Sequence, residues 1–207
     1  AQKAKRQLLV GHVLPLLPEY AWARKVIDDG RYGKLLGGSF RRVISDPAWL
    51  KHYWKAEVVG GPMLDLHIHD AHLIRLLFGM PIAVSTTGRS RGQLAEYWST
   101  QFRFKKNLAV TATSGTIDQQ GRPFDHGFEI HLEKATLLFQ FAVIGDDGKY
   151  LCPPTLLDHR GKTKSAKMPA GDPMMNAFQA ELKAVTESVR AGKKNPLPGG
   201  NLARDAI

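Results

Sequence analysis

Hydrophobic positions along the chain alternate between strand-like and helical periods. An apolar stretch, KRQLLVGHVL, fits a short strand near the start. In PEYAWARKVIDDG, residues 18–30, Trp22, Val26 and Ile27 fall on one helical face, and Gly30 is suited to close the helix. RYGKLLGGSFRRVIS, residues 31–45, reads as a strand with Leu36, Phe40 and Val43 among its apolar positions. Gly37 and Gly38 in it permit a bulge or a close backbone approach. An aromatic-rich connection, DPAWLKHYWKAEVV, ends at Gly60-Gly61-Pro62, and Pro62 suits the first turn of a helix. Leu66, Leu73, Ile74 and Leu77 then recur at helical spacing, so one continuous helix is predicted from Met63 to Phe78, ended by Gly79 and Pro81.

Beyond residue 81 the period becomes two. IAVSTTGRS, YWSTQFRFK, LAVTATSG, HGFEIHLE and TLLFQFAV are short, rich in Val, Thr, Phe and Ile, and separated by turn residues. Hairpins are predicted through Lys105–Asn107 and through Glu133-Lys134. A last helix starts at Asp172-Pro173, an N-cap followed by Pro, and runs through Phe178, Leu182, Val185 and Val189 to Gly192. Hairpin-joined strands with few helices predict an α+β fold: an open, mostly antiparallel or mixed β-sheet with helices packed on one face.

Composition narrows the class. The 207 residues, 43% hydrophobic and 23% charged, suit one domain spanning residues 1–207. No apolar run approaches the roughly 18 residues that cross a bilayer, so no membrane association is expected. AQKAKRQLLVGHV is too polar and too short in its apolar part for a secretory signal. Without an initiating Met, and with a stop in NLARDAI that reads as mid-helix, the chain is expected to be a fragment of a longer protein. Cys152 is the single cysteine, which excludes an internal disulfide, favours a structural thiol over a reactive one, and makes a cytoplasmic setting the default. The net charge of +10 comes from scattered Lys and Arg with no interleaved aromatics, so nucleic acid is not an expected partner.

The chemistry concentrates in GGPMLDLHIHDAH, residues 60–72. On a strand, Asp65, His67 and His69 would share one face and could ligate zinc, as the His-x-His of metal-dependent hydrolases does. On a helix, His67 turns away from His69, and a barrel of that hydrolase class needs about 250 residues; no metal site is therefore expected. The helix instead lines up Asp65, His69 and His72 at i, i+4 and i+7. Asp65 sits in the first turn, where the helix dipole favours an anion, and one turn on it is spaced to orient the His69 imidazole. Such a pair suits proton abstraction from a hydroxyl, and capping by Asp65 with a core hydrogen bond for His69 is the alternative.

GGPMLDLHIHDAHLIRLLFGMP resembles the Gly-Gly … Asp-x-x-x-His segment of the glucose-fructose oxidoreductase/inositol dehydrogenase/MocA family. The similarity extends over most of the chain: PEYAWARKVIDDGRYGKLLGGSFRR, DPAWLKHYW before the glycine pair, LEKATLLFQF, and the tail FQAELKAVTESVRAGKKNPL. The resemblance implies the carboxy-terminal domain of an NAD- or NADP-dependent oxidoreductase acting on a sugar, polyol or related hydroxy compound. It also implies that an amino-terminal Rossmann domain, absent here, holds the cofactor; no G-x-G-x-x-G follows a strand in these residues. The family's Glu-Lys-Pro segment, whose Lys assists proton transfer, would lie upstream of Ala1, so the fragment alone is expected to be inactive. By the same resemblance His69 is the general base and Asp65 orients it or holds a substrate hydroxyl.

The pattern departs from the family at three places. His72 stands where many members have Asp, and it suits an anionic substrate group or simple packing. VLPLLPEY replaces an Arg-Phe-x-Pro-like sequence, and Leu132-Glu133-Lys134-Ala135 lacks the usual glycine. His12, Lys55, Arg41 and Arg42 are further candidates for substrate contact, each with a surface or structural role as its alternative, and Trp49, Tyr53 and Trp54 read as packing residues. An apolar sheet face is expected to pair subunits into a homodimer or homotetramer. Two rival readings are the metal-dependent hydrolase using Asp65, His67 and His69, and a non-catalytic binding relative.

Overall fold

The structure, a computed structural model, describes residues 3–4, 6–192, 197 and 199–207. Its centre is an eight-stranded sheet in the order β2-β3-β4-β1-β5-β6-β7-β8. The strands are β1 (Leu35–Ser45), β2 (Ala83–Arg91), β3 (Leu94–Arg103), β4 (Ala109–Ile117), β5 (Phe124–Leu132), β6 (Ala135–Ile144), β7 (Asp147–Asp158) and β8 (Thr163–Ser165). Every neighbouring pair is antiparallel except β1 with β4, which is parallel. Helices α1 (Pro18–Asp28), α2 (Ile68–Phe78), α3 (Pro173–Ala191) and α4 (Gly200–Asp205) complete the described residues, with a short 3₁₀ turn at Leu14–Leu16. This is the expected α+β architecture with an open mixed sheet.

Alternation decides which sheet face is covered. Phe40, Val110, Ala112, Phe128, Ile130, Leu137 and Phe139 are buried and pack with Leu14, Leu17, Tyr20, Leu73 and Ile74 from the helical layer. The intervening residues face the other way: Ser39, Thr111 and Glu129 are exposed, and Arg41, Thr113 and Gln140 are half-buried. They surround a shallow depression of about 340 Å³ with Cys152 at its edge. The uncovered face is thus polar, not the apolar surface expected. Asp125, fully buried below it, accepts from Arg41 Nε at 2.6 Å, Arg122 at 2.6 Å and Gln140 at 3.0 Å.

Local signals explain most elements. The β5–β6 hairpin closes between Leu132 and Ala135 through Glu133 and Lys134. Asp172 caps α3 by accepting from Met174 and Met175, and Gly192 ends it at φ 61°. Lys193–Pro196, part of the expected turn after this helix, lies outside the described residues. At Gly37 a side chain would strike the Ala109 carbonyl, because its built Cβ would lie 2.1 Å from that oxygen. Glycine there lets the parallel partner approach and accompanies the register shift between Leu35 and Gly37. Among the described residues of KRQLLVGHVL no strand forms; Leu9 alone pairs, in an isolated bridge to Gly199. β7 was not expected because Pro153-Pro154 interrupts its pattern. The sheet absorbs the prolines where register shifts between Leu138 and Gln140.

Candidate active site

Gly60 and Gly61 carry φ of 81° and 67°, values that favour glycine, and turn the chain into the helix that bears the candidate site. The Lys55 carbonyl closes the preceding turn by accepting from Val58, Val59 and Gly60. Farther back the loop is clamped by Arg91, which lies 4.1 Å over the Trp54 ring, pairs with Asp46, and meets Glu96 at 2.7 Å. Trp54 donates to Asp46 at 3.1 Å.

The predicted continuous helix is in fact two segments. Met63–His67 form a π-turn, and the α-helix proper begins at Ile68. A π-turn carries more residues per revolution than an α-helix, so the angle between Asp65 and His69 differs from that of a regular helix. Asp65 is exposed, and no hydrogen bond or ion pair joins it to His69 among the described contacts. Its neighbour is the buried Tyr53, whose hydroxyl pKa is raised by burial and then by the Asp65 carboxylate.

The other polar residues of the segment point in three directions. His67 faces the sheet: its Nδ1 lies 2.9 Å from Ser114 Oγ, and its ring is edge-on to Trp98 and stacked on Phe102. Burial lowers its pKa, with Asp70 acting in the opposite sense. Asp70, fully buried, receives Arg42 in a fork, Nε to Oδ2 at 2.9 Å and Nη2 to Oδ1 at 3.2 Å. Arg42 also reaches the Tyr20 hydroxyl at 3.4 Å, and that hydroxyl lies 2.9 Å from His126 Nδ1. With Arg42 donating to its oxygen, Tyr20 is free to donate to His126, so the chain of groups is mutually satisfied. Burial alone would lower the Arg42 pKa, but the Asp70 and Tyr20 oxygens raise it above its ordinary value.

His69 and His72 form the third group, and His12, from the segment before Leu14, joins them. The His12 ring lies 4.6 Å from that of His72 and 5.8 Å from that of His69, edge-on to both. His69 and His12 are half-exposed, whereas His72 is buried. Nδ1 of His12 and of His69 has no hydrogen-bond partner. Burial, then the like charges of Arg42, His12 and His72, drive the His69 pKa down to about 3. Burial and His12 bring His72 to about 4, against a backbone hydrogen bond at Leu197, and burial lowers His12. All three are neutral imidazoles at pH 7, each able to give one hydrogen bond and take another.

The structure therefore brings His12, His69 and His72 together and leaves Asp65 and Lys55 apart from them. Lys55 is exposed on the loop. Asp65, His67 and His69 do not converge, and no group of three or more His, Cys, Asp or Glu among the described residues is arranged to hold a metal ion. A groove of about 410 Å³ between α2 and β2–β3 is lined by Met63, Leu64, Ile68, Ile82 and Val84, and reaches His67 but not His69 or Asp65. Asp70, Tyr20 and His126 were missed as partners. The signal was Arg42, which alternation places on the same covered face as Phe40, where an unpaired guanidinium would be untenable.

The profile of the GFO/IDH/MocA C-terminal domain matches residues 20–138, and the chain belongs to that oxidoreductase family. Solved structures share the fold at low identity. One is a UDP-N-acetylglucosamine 3-dehydrogenase from Acidithiobacillus ferrooxidans (15% identity, TM-score 0.71, covering 100% of this chain and 60% of that one). Another is an oxidoreductase from Agrobacterium radiobacter in complex with NAD+, L-tartaric acid and magnesium (14%, 0.75, 99% and 61%). A third is the aldose-aldose oxidoreductase of Caulobacter crescentus complexed with glycerol (17%, 0.72, 99% and 60%). The chain spans about three fifths of the length of these relatives. No curated protein sequence matches it.

Proposed function

We propose that these residues form the substrate-side domain of an NAD- or NADP-dependent oxidoreductase that interconverts a CH–OH group of a sugar, polyol or related hydroxy compound and the corresponding carbonyl. One observation carries the reading: within a GFO/IDH/MocA domain, the helix after the Gly-Gly turn presents a half-exposed, neutral histidine, His69. Related folds in complex with NADH and levoglucosan, or with NAD+ and L-tartaric acid, support the cofactor and substrate classes.

No glycine-rich phosphate loop occurs in these residues, so the dinucleotide is assigned to a Rossmann domain outside them. When bound, the nicotinamide accepts the hydride leaving the alcohol carbon. His69 takes the hydroxyl proton, and the two electrons of the C–H bond leave with the hydride, so the product is the carbonyl plus an imidazolium. Asp65, exposed beside Tyr53, holds a substrate hydroxyl instead of orienting His69. Lys55, exposed on the loop before the Gly-Gly turn, contributes a cation at the entrance. Subunits pair through the sheet face, by polar contacts in view of its Ser, Thr and Gln side chains.

The test is nicotinamide reduction by the full-length protein over a panel of sugars and polyols. His69→Ala is expected to lower kcat by about 10²–10⁴-fold, the usual worth of a general base, with cofactor binding unchanged. An unchanged rate removes His69 from the mechanism and leaves a binding relative as the better reading.

A further inference from the structure

Resting on the oxidoreductase reading above, we propose that the substrate carries a carboxylate, which lodges against the His12, His69 and His72 imidazoles. The Arg42 guanidinium beside the site is already met by Asp70, and no carboxylate is hydrogen-bonded to His12, His69 or His72 among the described residues. Arg42 approaches from β1, His12 from the segment before Leu14, and His72 from α2 itself. Both oxygens of Asp70, the carboxylate beside His69 in sequence, are occupied by Arg42. From α3, Glu181 packs near Gly11, but it does not act on His12, whose proton affinity is shifted by burial. Leu197 offers His72 only a backbone group. The chain as a whole adds a net charge of +10.

An anion resolves two difficulties of this arrangement together. Nδ1 of His12 and Nδ1 of His69 lack partners inside the protein, and imidazoles freed to act as donors suit carboxylate oxygens. A base must also hold the proton it takes. In the empty cluster, like charges oppose an imidazolium at His69. A carboxylate among the three rings reverses that field, so the proton taken from the reacting hydroxyl is held beside a negative charge. A neutral polyol brings hydrogen bonds but no such charge. Sugar acids, aldonates and small hydroxy acids are the class that meets both requirements.

The test pairs each acid with its neutral counterpart in the full-length protein: glucuronate with glucose, gluconate with sorbitol, tartrate with threitol. The acid of at least one pair is expected to exceed its counterpart in kcat/KM by about tenfold or more at pH 7. His12→Gln should erode that margin through KM more than kcat, while His12→Lys, which supplies a cation at the same place, should retain it. Calorimetry in phosphate and in Tris should show proton uptake when the acid binds. Equal or better turnover of every neutral member, with His69-dependent rates, overturns the carboxylate inference and leaves the oxidoreductase reading standing. Acid binding with proton uptake but no nicotinamide reduction does the reverse.

Discussion

Asp70→Asn should be among the most damaging single substitutions in the chain. The Asp70 side chain is completely buried and Arg42 nearly so, and the two meet through a forked pair of hydrogen bonds. Removing the negative charge leaves a guanidinium out of water beside a neutral amide, a situation that destabilises proteins by about 3–5 kcal/mol. For a domain of this size, about 4 kcal/mol corresponds to a fall in Tm of roughly 8–16 °C. In urea the midpoint should fall by about 1.5 M. The double variant Arg42→Met/Asp70→Leu separates charge from packing. Tyr20 keeps His126 as a partner in it, so what is lost is the ion pair and the 3.4 Å hydrogen bond from Arg42 to the Tyr20 hydroxyl. It should recover about 2 kcal/mol or more relative to Asp70→Leu alone, a coupling readable from the double-mutant cycle closed by Arg42→Met. The reasoning fails if Asp70→Asn changes the unfolding free energy by less than about 1 kcal/mol, or if the effects of Arg42→Met and Asp70→Leu simply add.

Acid should unfold the domain earlier than its carboxylates alone would dictate. The folded-state pKa values of His67, His69 and His126 are depressed, chiefly by burial. Their contribution is complete above the unfolded value near 6.5 and is lost as pH falls, for His69 down to about 3. Each such group steepens the decline by about 1.4 kcal/mol per pH unit within its window; equal urea midpoints at pH 7 and pH 5 would sink this expectation. At Gly37, alanine must collide with the Ala109 carbonyl of a neighbouring strand. Gly37→Ala is expected to lose about 1–3 kcal/mol, measured by thermal melting, and a neutral effect would mean that β1 and β4 can separate locally.

Much of the fold was legible because each element announces itself through one local rule. Alternation exposed β2 through β6, the turn through Glu133 and Lys134 fixed one hairpin, and Asp172-Pro173 marked the start of α3. β7 was hidden because Pro153-Pro154 is a local stop signal that a bulge in the partner register overrides. The site was legible as a cluster and not as a geometry. Asp65 and His69 are four apart, but the π-turn at Met63–His67 cannot be read from periodicity, nor can the neighbours the fold brings in, Tyr53 to the carboxylate and His12 to the imidazole. The Arg42–Asp70 fork escaped for another reason. Its partners are 28 residues apart on different elements, and only the assembled layers bring them together.

The single parallel pairing has a consequence for how the chain assembles. β2, β3 and β4 form one meander and β5 through β8 another, each closed by short local connections. β1 alone bridges them, matching Gly37 to Ala109 on one side and Phe40 to Phe128 on the other. Each wing can gather early, but the two become one sheet only when a strand lying 72 residues before Ala109 (Gly37) and 88 before Phe128 (Phe40) slides between them, a distant closure of the kind that slows folding. The same wedge that seals the sheet also carries Arg42, so the last seam to zip is the one that anchors the histidine-bearing helix.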